Sequence, residues 1–180
     1  MILAVYARVE LLQKPSWLED YRKKYGTSYD DHVTLKQPVQ IAEDQSHEAR
    51  RRLARVLAIG RSSGRKIRLV FDHLVADEKG GSLLLMAQQN QEIIDLQHTV
   101  IASLNAYDRY LSPELRTYEE RFEPHLTIAF SLGDRYEQAV RDLREDLVCV
   151  GEISEVVLSC VERISVDEAK NPMNQTVYRI

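Results

Sequence analysis

The chain has 180 residues, 44% of them hydrophobic and 29% charged, and a formal net charge of −4. That length suits one domain, residues 1–180, with a core of its own, and the acidic balance argues against a protein that coats nucleic acid non-specifically. Two cysteines, Cys149 and Cys160, with no signal-peptide pattern and no membrane-length apolar run, lead us to expect a reduced, cytoplasmic protein with no membrane association.

Ile2 to Val9 alternates apolar and polar residues and reads as a strand. Pro15 can open a helix whose apolar stripe is Trp17, Leu18, Tyr21 and Tyr25, with Gly26 as its stop. A loop to Asp31 leads into a short strand, His32 to Leu35. Glu43 to Ile59 has Ala49, Leu53, Val56 and Leu57 at helical spacing. Arg50, Arg51, Arg52 and Arg55 crowd the rest of that helix; they read first as a solvated face and alternatively as a phosphate-steering patch. Gly60 to Gly64 is a linker. Ile67 to Val75 and Ser82 to Gln88 form a hairpin across Asp77 to Gly81. Asn90 to Leu111 is the longest helical pattern, ended by Pro113, and a polar connector follows. His125 to Phe130 is a strand, Asp134 to Leu147 a helix burying Tyr136, Val140, Leu143 and Leu147, and Ile153 to Val161 and Gln175 to Ile180 are closing strands.

Two stretches share one formula. His32-Val33-Thr34-Leu35 and His125-Leu126-Thr127-Ile128 both read His, apolar, Thr, apolar. Along a strand, side chains alternate between faces, so each stretch buries its apolar pair and offers an imidazole and a hydroxyl on the other face. Each is followed by helix, strand, strand, the order of a degenerate internal duplication that would bring both motifs to one cleft. Two imidazoles suit general acid–base catalysis near neutrality, and hydroxyls suit phosphate oxygens. Lys36 continues the alternation of His32 and Thr34, which would turn its ammonium toward the same cleft.

Competing constellations are weaker. Gly60-Arg61-Ser62-Ser63-Gly64 matches G-x-S-x-G, but a helix precedes it and a strand follows, the reverse of a nucleophile elbow. His47-Glu48 lacks a second His four residues on, His73 and His98 read as a strand residue and a helix-surface residue, and the cysteines lack C-x-x-C spacing, so no metal site is expected.

The paired motifs, with the helix Tyr21-Arg22-Lys23-Lys24-Tyr25 before the first, resemble the two-histidine (2H) phosphoesterase superfamily, which includes the bacterial 2′-5′ RNA ligases and RNA 2′,3′-cyclic phosphodiesterases. The likeness is strongest to its small, uncharacterised bacterial members. It implies an α+β fold of two pseudo-symmetric lobes of antiparallel sheet, helices outside and a cleft between. It also implies opening of a cyclic phosphate on RNA ends or a small nucleotide, with reversible 2′-5′ ligation, no cofactor, no metal and no obligate protein partner. By resemblance, His32 and His125 are catalytic and Thr34 and Thr127 hold the phosphate; Lys36 is added to them as a phosphate ligand on its alternation alone. Asp31 stands where the family commonly has Pro, as Pro124 does before the second motif. The alternative is a module that binds RNA ends or a phosphorylated metabolite without turnover.

Overall fold

The computed structural model describes every residue except 27–28, 61–65, 78–80 and 145–146, and every described side chain except those of residues 59 and 60. The Gly60–Gly64 linker with its G-x-S-x-G match, and the tip of the hairpin, therefore lie largely outside the described residues.

The first half of the chain runs β1 (Ile2–Gln13), α1 (Leu18–Tyr25), β2 (His32–Gln40), α2 (Gln45–Gly60) and β3 (Ile67–Asp77). The second runs β4 (Ser82–Ala87), α3 (Gln91–Ser103), α4 (Pro113–Glu120), β5 (His125–Ala129), α5 (Tyr136–Arg141) and β6 (Cys149–Val161), before α6 (Val166–Lys170) and β7 (Gln175–Arg179). Among the described residues, seven strands make one sheet in the order β2-β1-β6-β3-β4-β5, with β7 also on β6, and every pairing is antiparallel. Exchanging β1 with β4, β2 with β5 and β3 with β6 maps the six-strand order onto its own reverse.

β6 is the spine. One edge pairs with β1 from Val150 to Val161. The other edge is shared: β3 takes Cys149 to Ile153 and β7 takes Glu155 to Ser159. The sheet therefore divides beyond Ser154, and its two terminal strands, β2 and β5, come back into contact with one another. Leu3, Val5, Ala7, Leu69, Phe71, Leu83, Leu85 and Leu158 line its core face. Val33, Leu35, Leu126 and Ile128 point into the same core, as the alternation of the two motifs requires.

Several elements differ from the sequence reading. The long helix stops at Ser103, with Leu104 as its cap. Residues 109–111 instead return to β2: the Gln40 amide donates to the Arg109 carbonyl at 2.7 Å, and Tyr110 bridges to Val39. An unpaired strand edge is a competing demand for backbone hydrogen bonds, and here it outweighs helical periodicity. Pro113 consequently opens α4 at its first turn, within the stretch expected to be a polar connector. The helix expected over Asp134 to Leu147 shrinks to a 3₁₀ turn (Gly133–Arg135) and α5. Its buried contact is Ala139, whose carbonyl accepts from the Tyr21 hydroxyl at 2.9 Å, whereas Val140 is partly exposed. β6 starts at Cys149, earlier than expected, because Gly151 conceals the alternation there. β2 runs on through Pro38, which an edge strand tolerates. Gly26 does end α1: a Cβ there would meet the Arg22 carbonyl oxygen.

Candidate active site

The two motifs sit on the terminal strands β2 and β5, and the backbone holds them in matching ways. His32 lies opposite Arg8 of β1, and His125 opposite Met86 of β4. One residue before each His, the carbonyl accepts from the neighbouring strand: Val9 N–H to Asp31 at 2.9 Å, and Ala87 N–H to Pro124 at 2.8 Å. Two residues before each His, the carbonyl meets the ring: Asp30 O with His32 Nδ1 at 2.7 Å, and Glu123 O with His125 Nδ1 at 2.8 Å. A carbonyl oxygen can only accept, so both Nδ1 atoms carry a proton and both Nε2 atoms are left to exchange one. Asp31 does not disturb this arrangement. Its carboxylate pairs with Arg22 of α1 at 2.6 Å and ties the approach to β2 onto that helix.

His32, Thr34 and Thr127 line one cavity of about 380 Å³, a size that suits a small ligand. His125 shares the face of β5 that carries Thr127, and its charge acts on His32. The His32 pKa is lowered, first by burial, with the His125 charge adding to it; the Asp30 carbonyl and the Asp31 charge partly oppose the shift. The Tyr6 ring packs 5.1 Å from the His32 ring, centroid to centroid, and Tyr29 lies 6.3 Å away. Burial raises the Tyr6 pKa, so its phenol stays protonated around neutrality.

Lys36 is not in this cavity. It is 1% exposed and lies on the core side of β2, where Nζ donates to Glu119 of α4 at 3.1 Å. The reason is a β-bulge. Thr34 pairs with Tyr6 and Lys36 with Val5, so the bulged strand contributes an extra residue and both Leu35 and Lys36 turn inward. Glu119 also accepts from the Gln37 amide at 2.8 Å and from the Tyr110 hydroxyl. The expectation that Lys36 faces the cleft and grips phosphate is therefore corrected: it fastens α4 to β2, and α4 in turn gives Leu115 to the cavity wall.

The remaining wall comes from residues that no motif announced. Phe130, 52% exposed, and Ile164, 60% exposed, stand in it as large apolar groups. Phe130 directly precedes Ser131, whose φ of 54° is left-handed and strained for a non-glycine residue. Lys170 and Ser165 of the α6 segment and Gln175 of β7 also line the cavity. No described residue of α2 lines the cavity, and Arg51 and Arg52 both pair with Glu48, which favours the solvated-face reading of the arginine cluster. His73 and His98 are exposed, and both cysteines are buried free thiols. Among the described residues, no three His, Cys, Asp or Glu side chains are grouped to hold a metal, and no helix is long and apolar enough to cross a membrane.

An antiparallel α+β fold that brings two His-x-Thr strands into contact fits the resemblance to the two-histidine phosphoesterases drawn from the sequence. The sequence agrees: residues 9–159 match the 2′-5′ RNA ligase superfamily, and the chain belongs to it. No curated protein matches in sequence. Among solved structures the fold is similar to TT0787 of Thermus thermophilus, at 13% identity and a TM-score of 0.57, covering 100% of this chain and 95% of that one. It is also similar to E. coli LigT complexed with NADP+, at 12% identity and a TM-score of 0.54, covering 100% and 96%. Kluyveromyces marxianus Usb1 matches at 12% identity and a TM-score of 0.51, covering 99% and 98%.

Proposed function

We propose that the protein is a metal-independent phosphodiesterase that opens a 2′,3′-cyclic or related cyclic phosphate on RNA ends or small nucleotides, with reversible 2′-5′ ligation as the same ring opening when a 5′-hydroxyl takes the place of water. The observation that carries this reading is the matched clamp on the two imidazoles, each held through Nδ1 by the carbonyl two residues before it. In this reading His32, kept neutral by burial, takes a proton from water as the water oxygen bonds to phosphorus. The bond from phosphorus to O3′ breaks, and His125 gives a proton to that oxygen. Thr34 and Thr127 donate hydrogen bonds to the non-bridging phosphate oxygens. The two lobes are the halves of the divided sheet, related by the pseudo-symmetry of the strand order, with the substrate between β2 and β5. The apolar wall around Phe130 and Ile164 supports a substrate with a nucleoside body. It is in keeping with this that E. coli LigT has been crystallised with 3′-AMP and with NADP+.

The test is turnover of a panel of 2′,3′-cyclic mononucleotides, cyclic-ended oligonucleotides and 2′-5′-linked RNA, with and without EDTA. Rates on at least one cyclic phosphate should be equal in both conditions. Loss with EDTA, restored by a divalent ion, would refute the metal-free mechanism.

A pH profile tests the division of roles. The base must be neutral, so kcat/KM falls as pH drops through the His32 pKa. Because burial lowers that pKa, the acid limb should lie below the ordinary imidazole value of about 6.5. The profile should be bell-shaped, its two limbs belonging to the coupled pair. An acid limb above about 7 would contradict the assignment of His32 as base.

A further inference from the structure

With Lys36 withdrawn into the core, the side chain that lines the cavity with a permanent positive charge, among the described residues, is Lys170. It ends α6, the short helix between β6 and β7. Its ammonium lies 3.5 Å from a carboxylate oxygen of Asp30, and both side chains are about half exposed. An ion pair so open to water is weak and readily exchanged for a better anion. Asp30 is also the residue whose backbone carbonyl holds His32 Nδ1. Lys170 is therefore linked, through Asp30, to the residue that holds the His32 ring, and shares the cavity with His32. A phosphate on the substrate's 5′ oxygen carries at least one full negative charge and two unesterified oxygens, enough to replace a solvated carboxylate beside an ammonium.

We propose that Lys170 is a specificity residue that receives a second phosphate of the substrate, one separate from the phosphate at the histidines. This rests on the cyclic-phosphate reading of the site and narrows it. On an RNA 3′ end, the nucleotide bearing the cyclic phosphate carries its next phosphate on the 5′ oxygen. A free nucleoside 2′,3′-cyclic phosphate has none. The cavity is thus matched to 5′-phosphorylated ends over free nucleoside cyclic phosphates, and the substrate's 5′ phosphate takes the place of Asp30 beside Lys170.

Binding of two product-like probes, adenosine 2′-monophosphate and adenosine 2′,5′-bisphosphate, measured calorimetrically at one fixed salt concentration, tests this. The wild-type protein should bind the bisphosphate about tenfold more tightly, the scale of one charge-assisted contact. Lys170→Gln should bring that ratio to about one, and Lys170→Arg should preserve it. A wild-type ratio near one, or a ratio unaltered in Lys170→Gln, overturns the proposal even if cyclic phosphates are turned over. The expected ratios without any turnover would support the second-phosphate site while the enzymatic reading failed.

Discussion

Replacing His32 or His125 by Ala should each lower turnover of a 2′,3′-cyclic phosphate by about 10²–10⁴-fold, the usual contribution of a positioned general acid or base. Both side chains are partly exposed on the face of the sheet opposite the core, and among the described residues their rings hydrogen-bond only local backbone, so folding should survive either change. The double mutant should lose less than the product of the two single losses, because base and acid act in one step. Thr34→Ala and Thr127→Ala should cost less than either His change, each removing one hydrogen bond to phosphate and leaving proton transfer in place. Steady-state kinetics alongside circular dichroism would check this, and full activity in either His→Ala variant would remove the mechanism.

The largest effect on stability should come from the buried pair beneath the site. Lys36→Met leaves the Glu119 carboxylate in the core with only the Gln37 amide and the Tyr110 hydroxyl as partners. Removing one member of a buried ion pair typically costs about 3–5 kcal/mol. Glu119→Leu should cost a similar amount by stranding the Lys36 ammonium. The double mutant Lys36→Met/Glu119→Leu should lose much less than the sum, because no unpaired charge remains buried. Urea unfolding of the four proteins measures the coupling. Additive losses would show that the pair does not act as a unit. The same experiment separates two roles for Lys36: a phosphate ligand would lower kcat/KM without changing the unfolding midpoint.

How much of this was written in the sequence follows from which interactions are local. Strand alternation is local, so Val33, Leu35, Leu126 and Ile128 could be assigned to the core, and His32, Thr34, His125 and Thr127 to the other face. The order helix, strand, strand expected after each motif holds after β2 but not after β5, where α6 comes between β6 and β7; the strand order is reversible end to end with β1 matched to β4 and β7 left out, which adjacent elements in the sequence do not reveal. Lys36 was misplaced because a bulge is a property of the pairing between β1 and β2 and leaves no mark in the alternation of β2 alone. The end of the long helix at Ser103 was hidden too, since the edge of β2 that draws residues 109–111 away lies far back in the chain. Phe130 and Lys170 could not be recognised as cavity residues without the fold. The one hint at Phe130 is its position at the end of a motif strand, and Lys170 reaches the site only because α6 folds back between β6 and β7.

The central claim is that these two imidazoles open a cyclic phosphate. Phosphorus NMR of a 2′,3′-cyclic nucleotide end, incubated with the purified protein in EDTA, tests it most directly. The cyclic diester resonance should be replaced by a single monoester, the 2′-phosphate, and the His32→Ala/His125→Ala protein should leave the substrate unchanged. A 3′-phosphate product would reverse the placement of the leaving oxygen. A cyclic resonance that persists with the wild-type protein across the whole substrate panel, or that disappears equally fast with the double mutant, would contradict the account.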